Sequence, residues 1–128
     1  MKYGYSKTVS SSFDEAVANV TEALKREGFG ILTEIDVQAT MKKKLDKDVR
    51  PYKILGACNP PYAFQALQEE EEVGLLMPCN VIVYENDKSE TIVSSMEVTP
   101  VLGIIENDKV NEFAPVIQDK LHRAIDSL

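Results

Sequence analysis

Two cysteines, each followed directly by an asparagine, carry the clearest chemical potential in this chain: Cys58-Asn59 and Cys79-Asn80. Cys58 precedes Asn59-Pro60-Pro61, where a helix is expected to begin. Free amides and the macrodipole at a helix start stabilise a thiolate and lower a thiol pKa. Such a sulfur can act as a nucleophile or take a soft metal. The plainer reading stands beside it, because free cysteines are commonly small buried residues closing a strand. Cys79 is open to the same two readings.

The remaining chemistry is sparse. There is no Gly-rich phosphate loop, no Gly-x-Ser-x-Gly elbow, no Cys-x-x-Cys pair and no His-Glu-x-x-His helix. His122 is the single histidine, so any Ser-His or Cys-His arrangement has one possible imidazole base. It lies one position off the apolar stripe of the last expected helix and reads as a partly exposed surface residue. Two cysteines do not complete a zinc tetrahedron, so further ligands would have to come from a carboxylate, His122, a second subunit or water. The Lys42 to Lys44 run reads as a solvated helix face with anion binding as its sharper alternative. The Glu69 to Glu72 run likewise reads as solvated surface, with weak divalent-ion binding as the alternative.

Periodicity sets out the elements that must position these residues. Tyr3 to Val9 alternates as a first strand. Ser12-Phe13-Asp14-Glu15 is a capping box, followed by Phe13, Ala16, Val17, Val20, Ala23 and Leu24 at helical spacing, so a helix is predicted over 13–27 with Gly28 as its stop. Phe29, Ile31, Thr33, Ile35 and Val37 alternate on one face of a second strand. Asp36 can cap a short surface helix over 38–46. Tyr52 to Cys58 forms a third strand, and a helix follows over 61–70 with Asn59 or Pro60 near its start.

Cys79 to Glu85 and Thr91 to Val98 are β-branched runs joined by the polar turn Asn86-Asp87-Lys88-Ser89, a hairpin. The apolar segment Val98 to Ile105 is expected to add an edge strand or to form part of a subunit interface. Val110 to Leu128 traces a closing helix, with Pro115 in its first turn or kinking it and Asn111 as its expected cap. An antiparallel pairing of the third and fourth strands would bring Cys58 near Cys79, whereas a parallel crossover would separate them.

The order is strand, helix, four further strands with two short helical insertions, and a closing helix. A two-layer α+β domain follows, one sheet with helices on one face. At 128 residues the chain has the size of a single domain, read here as 1–128, and its 44% hydrophobic and 27% charged content is ordinary for a globular protein. A net charge of −7 repels phosphate backbones and anionic lipid headgroups, so no nucleic-acid and no membrane partner is expected. The segment Met1 to Val9 shows no export signal, and no apolar run approaches the length of a spanning helix, so a cytoplasmic location with reduced thiols is expected.

Three segments, Gly30-Ile31-Leu32-Thr33-Glu34-Ile35-Asp36-Val37, Tyr52-Lys53-Ile54-Leu55-Gly56-Ala57-Cys58-Asn59-Pro60 and Gly74-Leu75-Leu76-Met77-Pro78-Cys79-Asn80-Val81-Ile82-Val83, resemble in order and spacing the domain-of-unknown-function 302 family. The likeness covers nearly the whole chain. It implies a β-α-β(4)-α domain with a largely antiparallel sheet, related to the TATA-binding-protein-like arrangement and often dimeric, and it implies no established activity. Met77 stands where the family pattern usually has an aliphatic residue. Cys58, Asn59, Pro60, Pro78, Cys79 and Asn80 are carried over as motif positions without an assigned role.

The residues support three functional expectations. The first is a homodimeric binding or sensing module that holds a small ligand or a soft metal at Cys58, Asn59, Cys79 and Asn80, with the cofactor unnamed. The second is a thiol-redox enzyme with Cys58 as nucleophile and Cys79 as resolving thiol. The third is a purely structural or interaction domain with both cysteines buried.

Overall fold

In the computed structural model, which describes residues 2–128, the chain runs β1 (Gly4–Val9), α1 (Phe13–Arg26), β2 (Gly30–Asp36), α2 (Val37–Leu45), β3 (Tyr52–Cys58) and α3 (Pro60–Glu69). A 3-10 helix (Glu71–Leu76), β4 (Cys79–Glu85), β5 (Thr91–Met96), α4 (Val98–Leu102) and α5 (Asp108–Asp126) complete it. Met1, which heads the segment read for an export signal, lies outside the described residues. The strands form one sheet in the order β1-β5-β4-β3-β2, and all four neighbouring pairs are antiparallel.

Paired residues share a face, so the register separates the two sides of the sheet. Tyr5, Ser95, Val81 and Leu55 lie in one cross-strand row, the last three fully buried beneath α1 and α5. Val20, Leu24, Val110, Leu121 and Ile125 meet that row from the helices with at most 1% exposure each. Burying side chains of this size stabilises the fold by about 1.5–3 kcal/mol each. The opposite face carries half-buried Tyr52, Tyr84, Ile54 and Ile82 and exposed Ile35, with α1 and α5 on the other side of the sheet.

Local signals account for most boundaries. Ser12 Oγ accepts from the Glu15 amide at 3.2 Å and Glu15 Oε1 accepts from the Ser12 amide at 3.1 Å, the reciprocal cap read from the sequence. Gly28 ends α1 with φ of +89°, a conformation that side chains disfavour. Asp36 caps α2 through the Ala39 amide, and the Asn86 side chain organises the β4–β5 turn by accepting from the amides of Lys88 and Glu90.

Three expectations are corrected. The continuous face predicted for 29–37 is broken by a β-bulge between Ile31 and Thr33. Ile31 opposes buried Ala57, but the extra residue turns the strand over, so Ile35 opposes Ile54 on the uncovered side and is 48% exposed. The segment from Val98 is a short helix rather than an edge strand: Val98 and Leu102 turn into the core, leaving Ile104 outside.

Asn107, not Asn111, caps α5. Its Oδ1 accepts from the amides of Lys109 and Val110, so the helix starts four residues earlier and Pro115 sits inside it. The Asn107 amide group also reaches the Glu69 carbonyl and Glu70 Oε1, tying the end of α3 to the start of α5. Replacing Asn107 by Ala is expected to lower stability by about 1–2 kcal/mol in urea denaturation. Asn111→Ala should lower it by less than roughly 0.5 kcal/mol, and the reverse order of effects would show that the cap is misassigned.

Candidate functional site

Antiparallel pairing of β3 and β4 places the end of one strand beside the start of the other. Ala57 pairs with Cys79, so Cys58 stands one position further along the same rim, its Cα roughly 5–7 Å from that of Cys79. Both cysteines are unbonded thiols of intermediate burial. Both line one cavity of ≈ 40 Å³ between the sheet rim, α3, the 3-10 helix, α4 and α5. The antiparallel pairing on which the nearness of the two cysteines depended is thus the one in the fold.

The cavity wall is almost wholly apolar. Phe29 and Ala57 come from the sheet side, Tyr62 and Ala66 from α3, Val73 and Leu76 from the 3-10 helix, and Leu102, Phe113 and Ile117 from α4 and α5. The apolar segment beginning at Val98 therefore serves as one wall of this cavity. Among the lining residues there is no charged side chain, and two methionines, Met77 and Met96, bring thioethers to it. The Met77–Pro78 peptide preceding Cys79 is cis.

Burial and the neighbouring Cys58 push the Cys79 thiol up to about 11, with burial the larger cause. A sulfur so removed from water resists taking a charge. The start of α3 also differs from what the sequence suggested. Pro60 and Pro61 occupy its first two positions and have no N–H, and the Ala63 amide is taken by the Asn59 carbonyl. The first turn therefore offers Cys58 few free amides.

The two asparagines part company. Asn59 lines the cavity, but its side chain makes no helix cap; Nδ2 donates to the Glu27 carbonyl at 3.3 Å and fastens the α1–β2 turn to α3. Asn80 pairs with Gly56 in the next register position, is exposed, and is absent from the cavity wall. Of the four residues singled out, Cys58, Asn59 and Cys79 meet at one place and Asn80 does not.

His122 lies elsewhere. Its Nε2 is 2.6 Å from Glu97 Oε1, and its ring stacks on Tyr5 at a centroid distance of 3.8 Å, while Tyr5 donates to Asp126 at 2.6 Å. These contacts join α5 to β1 and the end of β5 and leave the His122 side chain 26% exposed, the partly exposed setting its sequence position suggested. Among the described residues no cluster of three or more His, Cys, Asp or Glu side chains is placed to hold a metal. No helix among them is long and apolar enough to cross a membrane.

The family model described as "Domain of unknown function DUF302" matches residues 5–128. The chain belongs to the DUF302 family. A crystal structure of an uncharacterized conserved DUF302 protein from Bacillus stearothermophilus is similar to it, with a TM-score of 0.91 and 29% identity over 98% of each chain. No curated protein matches. The DUF302 assignment agrees with the three segments that carried the resemblance, and it brings no activity with it. The α+β, β-α-β(4)-α layout expected of a DUF302 domain is the one observed, with a 3-10 helix and α4 added to the two expected insertions.

Proposed function

We propose that this DUF302 domain is a cytoplasmic binding or sensing module whose two thiols hold a soft metal or a very small ligand. The observation that carries this reading is the opening of Cys58 and Cys79 onto one apolar cavity at the shared end of β3 and β4. Size narrows the occupant. A cavity of ≈ 40 Å³ is far below the roughly 300–1,000 Å³ of pockets that enclose organic ligands of drug size. A water there would need two to four polar partners that such a wall does not supply. A soft ion, which trades hydration for sulfur, suits both the size and the wall.

The thiol-redox alternative draws less support. A resolving cysteine attacks as a thiolate, and a thiol raised to about 11 is ionised to only about one part in ten thousand at neutral pH.

We further propose a homodimer, formed through the uncovered side of the sheet. The segment 101–105, which the sequence offered for this role, contributes Leu102 to the core and leaves Ile104 as its main exposed apolar residue. The uncovered face is broader and bears Ile35, Ile54, Ile82, Tyr52 and Tyr84, where an antiparallel sheet facing water would ordinarily be polar.

Native mass spectrometry of protein purified without chelator tests both statements. The expected spectrum is a dimer carrying a retained metal or small adduct that is lost in Cys58→Ser and Cys79→Ser variants of unchanged fold. A bare monomer at micromolar concentration that also fails to take up any soft metal on titration would refute both.

A further inference from the structure

The chain has two cysteines and four methionines, hence six sulfur atoms. Four of these residues, Cys58, Cys79, Met77 and Met96, line the same cavity. Met77 ends the approach to β4, Met96 ends β5 and Cys58 ends β3, so three separate stretches of chain deliver sulfur to one rim. Of the other two, Met41 lies on α2 and Met1 outside the described residues. Methionine is a common filler of irregular core gaps, and a single one would carry no argument. Two thioethers beside two thiols, in a wall without oxygen or nitrogen side chains other than Asn59 and the Tyr62 hydroxyl, form a donor set of one chemical kind.

We propose that this cavity is a monovalent copper site with an all-sulfur donor set, the thiols of Cys58 and Cys79 assisted by the thioethers of Met77 and Met96. The proposal rests on the soft-metal reading above and names the metal. Zinc draws its ligands from thiolate, imidazole and carboxylate and takes four of them, which the described residues do not assemble here. Thiolate and thioether are the soft ligands that select Cu(I).

Charge balance is satisfied by the same ion. When Cu(I) enters, one thiol loses its proton to solvent and the freed sulfur lone pair forms the Cu–S bond. Copper remains +1, the second thiol and the thioethers donate as neutral ligands, and the enclosed complex has no net charge. An apolar wall tolerates a neutral group far better than an isolated ion.

The test is an anaerobic titration of the reduced full chain with Cu(I), in competition with a chromophoric Cu(I) chelator, followed by X-ray absorption at the copper edge. The expected result is one Cu(I) per chain with sulfur as its sole first neighbour, and weaker binding of Zn²⁺ under the same conditions. Met77→Leu combined with Met96→Leu nearly conserves volume and should weaken Cu(I) binding at least tenfold, with circular dichroism and melting temperature little changed. If the double variant unfolds, each single variant should still lengthen or remove one Cu–S contact in the absorption spectrum. Cu(I) binding that Met→Leu variants leave unaltered, with only two sulfurs in the shell, would overturn the four-sulfur site while leaving the thiol reading standing. A wild-type chain that binds neither Cu(I) nor another soft ion would overturn both.

Discussion

Alanine at position 56 will destabilise the domain by about 1–3 kcal/mol, seen as a lower urea midpoint at unchanged slope. Gly56 lies in β3 opposite Thr33 on one side and Asn80 on the other. A Cβ built there would lie 2.2 Å from Thr33 Oγ1 and 2.7 Å from Pro78 Cγ. Thr33 can rotate its hydroxyl aside, because its Cβ would be at an ordinary 3.5 Å. Pro78 has no such freedom, since its ring is fixed to the backbone and the next residue, Cys79, is already paired in β4. The strands at the cysteine rim must therefore move apart or shift register. Thr33→Ala in the same chain should recover part of the loss and leave the remainder, which belongs to Pro78. A midpoint unchanged by Gly56→Ala would show that the close approach of β2, β3 and the Pro78 ring is not a constraint on this rim.

That same glycine illustrates what could be read from the sequence. The small residues at the end of the third strand signalled that something approaches closely there, yet whether backbone, proline or ligand could not be decided from spacing. Features governed by neighbours within four residues were legible: the Ser12–Glu15 box, Gly28 as a stop, Asp36 as a cap, and the Asn86–Ser89 turn each depend on a local hydrogen bond or dihedral. The nearness of Cys58 and Cys79 was legible conditionally, because it follows from one topological choice, and all four strand pairings prove antiparallel.

What escaped was non-local or marked by a misleading cue. The bulge after Ile31 leaves no sign in a sequence that alternates without a break from 29 to 37, since a bulge reflects pairing with β3 and not the strand's own pattern. Pro115 drew the expected start of α5 towards Asn111, but a long amphipathic face packed on the sheet outweighs one missing hydrogen bond, and Asn107 satisfies the orphan amides instead. Met96 passed as an ordinary apolar position in the strand reading, and Met77 was marked only as a departure from the family pattern. Only the order β3-β4-β5 gathers them with the cysteines, and the adjacency Met77-Pro78-Cys79 was the one local hint.

The largest pH effect is expected from Cys79. Its folded-state value of about 11 stands above the ordinary 9.0, so between those limits the unfolded chain releases a proton that the folded chain keeps. Stability from this group is therefore complete below pH 9, declines as the pH rises, and is lost above 11, the sign required of a raised acid. A two-unit difference corresponds to about 2–3 kcal/mol, a sizeable part of the roughly 5–15 kcal/mol that holds a domain folded. Tyr5 and Tyr52 are also raised, the first mainly by its hydrogen bond to Asp126 and the second mainly by burial, and they act in the same direction at still higher pH. Comparison with Cys79→Ala isolates the thiol: the variant loses packing at every pH, but its stability should fall less steeply between pH 9 and 11 than that of the parent. Ultraviolet absorbance of the thiolate, followed as the difference between parent and variant, should place the folded-state titration near 11. Parallel stability curves for the two proteins, with thiolate absorbance rising near pH 9, would mean that the sulfur is open to water, and the apolar wall would then no longer protect whatever it binds.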